Sequence, residues 1–243
     1  MSVSGSLPAR DLVDVRLAAA IDLGGCALCA VRARSERATL EAIIAERVLD
    51  IGFREGLERT HGFCRRHAVG LLEADRRGSG ILGSSILFGA TIERRVGALR
   101  GACRARGRSR RGALTDARRR PPCPACEQGA AAVDVAAARL VERATDPAWA
   151  AAIGEIPFCL DDLGELLAAG SAAGAGGGGS GGSGGSVASA AFMALAEGQF
   201  ARLDELARRL DGYAHHSAHD RRHLLTDSER SAAAEAARVL GGD

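Results

Sequence analysis

Residues 61–72 read HGFCRRHAVGLL. The CxxH pair in this stretch, Cys64 and His67, decides the fold because the chain states nearly the same phrase twice. Upstream lies a CxxC pair, Cys26 and Cys29 in CALC, whose second thiol precedes Cys64 by thirty-five residues. Farther on, a second CxxC, Cys123 and Cys126 in CPAC, is followed thirty-three residues later by Cys159 in PFCLDDLGELL. Leu71 and Leu72 stand seven and eight residues after Cys64, and Leu166 and Leu167 stand seven and eight after Cys159. The chain thus carries an internal duplication of about fifty residues, with cysteines as its fixed points. One position differs: Asp162 occupies the place that His67 holds in the first copy.

A CxxC at a helix start places two thiolates on one side of a tight turn, and a CxxH at another helix start does the same for a thiolate and an imidazole. Docking two such helix ends gathers four ligands around a point, the donor set of a closed, tetrahedral structural zinc site. The orphan N–H groups and dipole of a helix start stabilise thiolates there. The duplication predicts one such clamp per copy. Cys26, Cys29, Cys64 and His67 would form the first, and Cys123, Cys126, Cys159 and Asp162 the second. The fourth place of the second cluster admits three readings. Asp162 completes the shell; a water or a histidine from elsewhere completes it; or the cluster has lost its ion and persists as packed thiols. Two matched CxxC pairs, each followed by a cysteine with the same leucine trailer, are hard to explain as merely small buried hydrophobes. His61 reads as a turn residue rather than a ligand.

The chain has 243 residues, 47% of them hydrophobic, but aromatics are only 3%. The core is therefore built from Leu, Ile, Val and Ala, and small helical modules of that kind need a staple. A structural zinc supplies about 10 kcal/mol or more to folding in small peptides. All 32 basic side chains are arginine, which fits a GC-rich coding sequence before any choice of guanidinium chemistry. The net charge of +2 implies no particular partner. No basic-then-apolar segment opens the chain, and the most apolar stretch, 81–92, is too short to span a bilayer. The expectation is a soluble cytoplasmic protein with no membrane partner, where paired cysteines bind metal or do redox chemistry more often than they form disulfides.

The periodicity predicts an all-α fold: two related helical hairpin modules, each with a CxxC…CxxH/D cluster at helix starts, plus C-terminal helices. Leu12, Val15, Ala19 and Leu23 recur at helical spacing. CALC opens a helix carrying Leu40, Ile43 and Ile44, and the turn at Gly62 leads into the CxxH helix. CPAC opens a helix whose buried face is Val133, Ala137, Leu140, Val141 and Ala144. Asp146 and Pro147 open a short helix with Trp149, since proline suits a first turn. Leu82, Ile86, Ile92, Val96 and Leu99 mark a helix between the copies. The first module with its following helix covers 9–101, an Arg/Gly-rich connector 102–122, the second module 123–170, a Gly/Ser linker 171–187, and the C-terminal helices 188–243. Phe192, Leu195, Gln199, Leu203, Leu206 and Leu210 make one amphipathic helix, and Thr226 with Glu229 forms a capping box for the last.

From Arg94 to Arg120 there are eleven arginines and one acid, Asp116. Such a run can pair with phosphates, but it holds no aromatic to stack on bases, and its glycines at 101, 107 and 112 favour a charged loop. Nucleic-acid binding through Arg94–Arg120 stands as one alternative. His215, His219 and His223 would share a face if their segment is helical and could chelate; a solvated polar face is the plainer reading.

The layout GGCALC, HGFCRRHAVGLL, PPCPACEQ and FARLDELARRLDGYA resembles a bacterial family of helical cysteine-rich proteins, a domain of unknown function. Its members read CPxC and then GFCxxH, twice over, and end in a helix, a short charged segment and a last helix. The resemblance implies that Cys26, Cys29, Cys64, His67, Cys123, Cys126 and Cys159 occupy motif positions. Asp162, where the family has histidine, and the Gly/Ser linker depart from it. The resemblance implies a scaffold and no activity. No nucleophile–base set, phosphate loop or carboxylate pair suggests an enzyme. The leading expectation is a zinc-stabilised helical binding or regulatory protein, without catalysis, that engages a protein partner. The other alternative is a thiol redox sensor or oxidoreductase using the CxxC pairs, since a helix start lowers a thiol's pKa.

Overall fold

The structure is a computed structural model describing residues 7–60, 62–78, 80–118, 123–175, 183–218 and 220–241. Among these residues it is all-α, with no strand. The helices are α1 (Leu12–Ile21), α2 (Ala27–Ala42), α3 (Ile51–Arg59), α4 (Arg65–Gly78), α5 (Leu82–Arg104), α6 (Gly107–Arg118), α7 (Pro124–Arg143), α8 (Pro147–Glu155), α9 (Leu160–Ala175), α10 (Ser183–His216) and α11 (Asp227–Gly241). A π-helical turn, Ile43–Arg47, continues α2, and a 3-10 turn, Arg222–Leu224, precedes α11. No helix among the described residues is long and apolar enough to cross a membrane.

Two compact units divide the chain: Met1–Val31 with Ala132–Asp243, and Arg32–Ala131. The chain passes from one to the other within α2 and returns within α7. This division does not follow the two sequence copies.

In the first unit, the apolar face of α7 is the one the periodicity predicts: Val133, Ala137, Leu140, Val141 and Ala144 are all buried. They pack with Leu17, Leu28, Trp149, Leu166 and Phe192 in one core. Asp146 caps α8, accepting hydrogen bonds from the Ala148 and Trp149 backbone N–H groups, with Pro147 in the first turn. The capping box of α11 forms reciprocally. The Thr226 N–H donates to Glu229 Oε2 at 2.9 Å, and the Glu229 N–H donates to Thr226 Oγ1 at 3.2 Å. In the second unit, Leu40, Ile43, Leu57, Leu71, Leu87 and Ala125 form the core. Asp75 is buried there and receives the backbone N–H and hydroxyl of Ser84, which satisfies the start of α5 where Ile81 offers no side-chain cap. Gly62, at φ 85°, makes the turn before Cys64. A Cβ there would strike the Thr91 side chain 2.5 Å away, so glycine is required twice over.

Four expectations are corrected. The strip Leu12, Val15, Leu23 that reveals α1 is its exposed side; the helix buries Asp14, Leu17 and Ala20 instead. An acid on the inner face hides that face from a hydrophobic-periodicity reading. In α5, Leu82, Ile92, Val96 and Leu99 are likewise exposed, and Ser84, Leu87 and Ala102 are buried. The arginine connector is helical over 107–118 rather than a loop, because Arg, Ala and Leu are strong helix formers and outweigh single glycines. The Gly/Ser linker narrows: α9 continues to Ala175 and α10 begins at Ser183, with the remainder lying outside the described residues. Ser189 Oγ donates to the Gly170 carbonyl at 2.8 Å, and a Cβ on Gly170 would lie 3.1 Å from Phe192, so the residues flanking that segment pack against each other.

Candidate metal centres

All four motif starts have one local design. Cys26, Cys64, Cys123 and Cys159 each precede a helix, and each one's carbonyl accepts the helix's first backbone bond, from Ala30, Ala68, Glu127 and Leu163. The second motif residues, Cys29, His67, Cys126 and Asp162, fall in the first turn three residues on. The spacing CxxC or CxxH therefore puts both donors on the rim of a helix N-terminus, where unpaired N–H groups favour negative charge. Seven residues after Cys64 and Cys159, Leu71 and Leu166 are fully buried and anchor their helices.

The eight ligand residues gather into two clusters, but not one per copy. Cys64 and His67 of the first copy meet Cys123 and Cys126 of the second; Cys26 and Cys29 of the first copy meet Cys159 and Asp162 of the second. The expected clamp of Cys26 and Cys29 with Cys64 and His67 is thus overturned, as is that of Cys123 and Cys126 with Cys159 and Asp162. The ligands are exchanged between copies. Within each cluster the donor atoms all lie within 4.8 Å of one another, and either cluster could hold a metal ion.

The cluster in the second unit contains three thiols and an imidazole. His67 Nδ1 lies 3.1 Å from Cys123 Sγ, 3.3 Å from Cys64 Sγ and 3.3 Å from Cys126 Sγ. Cys126 Sγ is 3.5 Å from Cys123 Sγ and 3.9 Å from Cys64 Sγ. The cluster in the first unit contains three thiols and a carboxylate. Asp162 Oδ2 lies 3.1 Å from both Cys26 Sγ and Cys29 Sγ, and Cys159 Sγ is 3.9 and 3.6 Å from the same two thiols. Asp162 is buried, so of the three readings for the fourth position the geometry brings in the carboxylate. All seven cysteines are free thiols, and Cys103, outside both clusters, is exposed.

Burial dominates the electrostatics of both clusters. Burial pushes the Cys26 and Cys126 thiols up to about 12, with neighbouring acidic groups adding to it. Cys29 is raised too, by burial and then by Asp162. Burial opposes ionisation at Cys64 as well, but the His67 backbone N–H and the facing thiols Cys126 and Cys123 outweigh it and hold that thiol below its ordinary value. Several acids in so small a volume cannot all ionise in isolation; a cation at their centre reverses that balance.

Three residues near the second-unit cluster escape a motif search. Glu36 is buried beside His67, Arg66 holds Glu36, and Gly129 lies against it. A signal for Glu36 existed: it lies four residues before Leu40 and seven before Ile43, a carboxylate on the buried stripe of its own helix. Of the C-terminal histidines, His215 and His223 do not share a helical face, since α10 ends at His216 and His223 lies in the 3-10 turn. His215 is paired with Arg221, and His219 and His61 lie outside the described residues. Compared with known proteins, the chain matches no family model, no curated protein and no solved structure.

Proposed function

We propose that the protein is a zinc-stabilised helical binding or regulatory module without catalytic activity, a scaffold of the family kind its motifs resemble, and that its partner is another protein. The observation that carries this reading is the size of the two clusters. Donors about 2.3 Å (sulfur) and 2.0 Å (nitrogen or oxygen) from one tetrahedral ion stand about 3.8 Å apart sulfur to sulfur and about 3.5 Å apart sulfur to nitrogen or oxygen. Four of the six sulfur pairs span 3.5–3.9 Å and five of the six mixed pairs 3.1–3.3 Å, with every pair of donors within 4.8 Å. That is the edge of a shell around a single ion, and it is far longer than the S–S bond of about 2.05 Å in a disulfide. Three thiolates with an imidazole or a carboxylate suit zinc, and do not suit magnesium or calcium, which take oxygen shells. With four protein ligands each, both sites are closed, and closed sites are structural. A zinc ion there supplies charge neutralisation and a tie between helix starts.

The deciding measurement is metal content of the purified, untagged protein. The expected result is two zinc ions per chain, with Cys64→Ser reducing it to one and lowering helicity. A metal-free protein of full native helicity would falsify the proposal.

A further inference from the structure

We infer that Glu36 is the positioning residue of the centre formed by Cys64, His67, Cys123 and Cys126, holding the His67 ring so that Nδ1 faces the ion; this rests on the zinc reading above. Nδ1 is the ring nitrogen that touches all three thiols, at 3.1–3.3 Å. With Nδ1 committed to an ion, the ring's proton sits on Nε2, inside a side chain that is only 3% exposed. A buried N–H needs an acceptor. Glu36 Oε2 lies 3.2 Å from Nε2, and Glu36 is itself 6% exposed. The N–H is not aligned on that oxygen and Nε2 has no hydrogen-bond partner, which leaves Glu36 Oε2, at 3.2 Å, as the acceptor beside it.

Two features keep the carboxylate in place. Arg66, on the same helix as His67, donates to Glu36 Oε1 at 2.7 Å, leaving Oε2 for the imidazole. Gly129 makes room: a Cβ there would stand 2.8 Å from Glu36 Cγ and 2.9 Å from Oε1. Ser35 donates to the Gln128 carbonyl at 3.1 Å, which fixes the close approach of α2 and α7 at this level. The duplication supplies a control. Glu36 is ten residues past Cys26, and ten residues past Cys123 stands Val133, a buried apolar side chain. The second copy's ligand is Asp162, which has no N–H to satisfy, and its counterpart of Glu36 has no acceptor.

The test uses the full-length zinc-loaded protein with Glu36→Gln and Glu36→Leu. Chelator is titrated in, and thiol alkylation is read peptide by peptide, so the two centres report separately. Glutamine offers a carbonyl acceptor and leucine none. The expected result is that Glu36→Leu exposes Cys64, Cys123 and Cys126 at about 10- to 100-fold lower chelator, Glu36→Gln shifts them by about threefold at most, and Cys26, Cys29 and Cys159 do not move. Leucine and glutamine behaving alike, or both centres shifting together, overturns the role of Glu36 and leaves the zinc reading intact. Thiols of the wild type that alkylate at once without chelator overturn both. Should the leucine variant not fold, Glu36→Asp, which keeps the charge and withdraws the oxygen, is expected to give the same selective loss; no loss there overturns the inference.

Discussion

Asp14 is the residue on which the first unit's core turns apart from its thiols. It is fully buried, and it accepts the Arg10 backbone N–H at 2.7 Å, Arg139 Nη1 at 2.9 Å and the guanidinium of Arg143. Arg143 is also buried; it donates to the Pro8 carbonyl and lies over the Trp149 ring, whose Nε1 donates to the same carbonyl. Burial works against charge on Asp14, yet these donors win and hold its carboxyl down at about 2, with Arg143 contributing most. A carboxyl depressed on folding stabilises the fold above its unfolded value and loses that contribution as pH falls. The contribution is about 2 kcal/mol at neutral pH, and it fades between about pH 4 and pH 2. Urea denaturation of wild type and Asp14→Asn at several pH values should therefore show a gap that closes across that window; a gap independent of pH refutes the assignment. Removing the carboxylate outright, in Asp14→Ala, strands Arg143 in the core and should cost about 3–5 kcal/mol.

At the scale of elements, α4 and α9 each have two attachments, a pair of cluster residues at the start and a leucine two turns along. Leu71 and Leu166 occupy the same place in the two copies and are both fully buried. Truncating either to alanine should cost about 2–5 kcal/mol, read from the urea midpoint, while zinc content stays at two per chain. Loss of zinc in Leu71→Ala would show that packing, and not the ligand pair, sets the helix start. Helix identities were mostly legible, because capping residues and apolar spacing are local. The start of α8 at Asp146–Pro147 and the Thr226–Glu229 box of α11 are examples. The inner faces of α1 and α5 were not. A buried Asp14 or Ser84 is tolerated only because a partner from another element satisfies it, and the partner is not in the local sequence.

For the whole molecule, the crossed clusters nest one inside the other along the chain: Cys64 to Cys126 lies within the span from Cys26 to Asp162. Mild oxidation of the native protein should record this. Thiols 3.5–3.9 Å apart can close with little movement, so peptide mapping should find Cys159 joined to Cys26 or Cys29, and Cys126 joined to Cys123 or Cys64. Bridges from Cys29 to Cys64, or from Cys126 to Cys159, would restore the one-clamp-per-copy arrangement and sink the crossed one.

The residue types and their spacing sufficed to single out all eight residues that gather in the two clusters, to place them at helix starts and to establish an all-α chain, since each of those properties is set within a few residues. Which pair meets which was decided only in three dimensions. Closing a loop of over a hundred residues rather than about thirty-five costs only about 1 kcal/mol more in chain entropy. Identical local geometry at the four helix starts makes either pairing chemically acceptable. No one helix start specifies its partner, so the pairing exists only once the helices have met, with Leu71 and Leu166 buried in different cores.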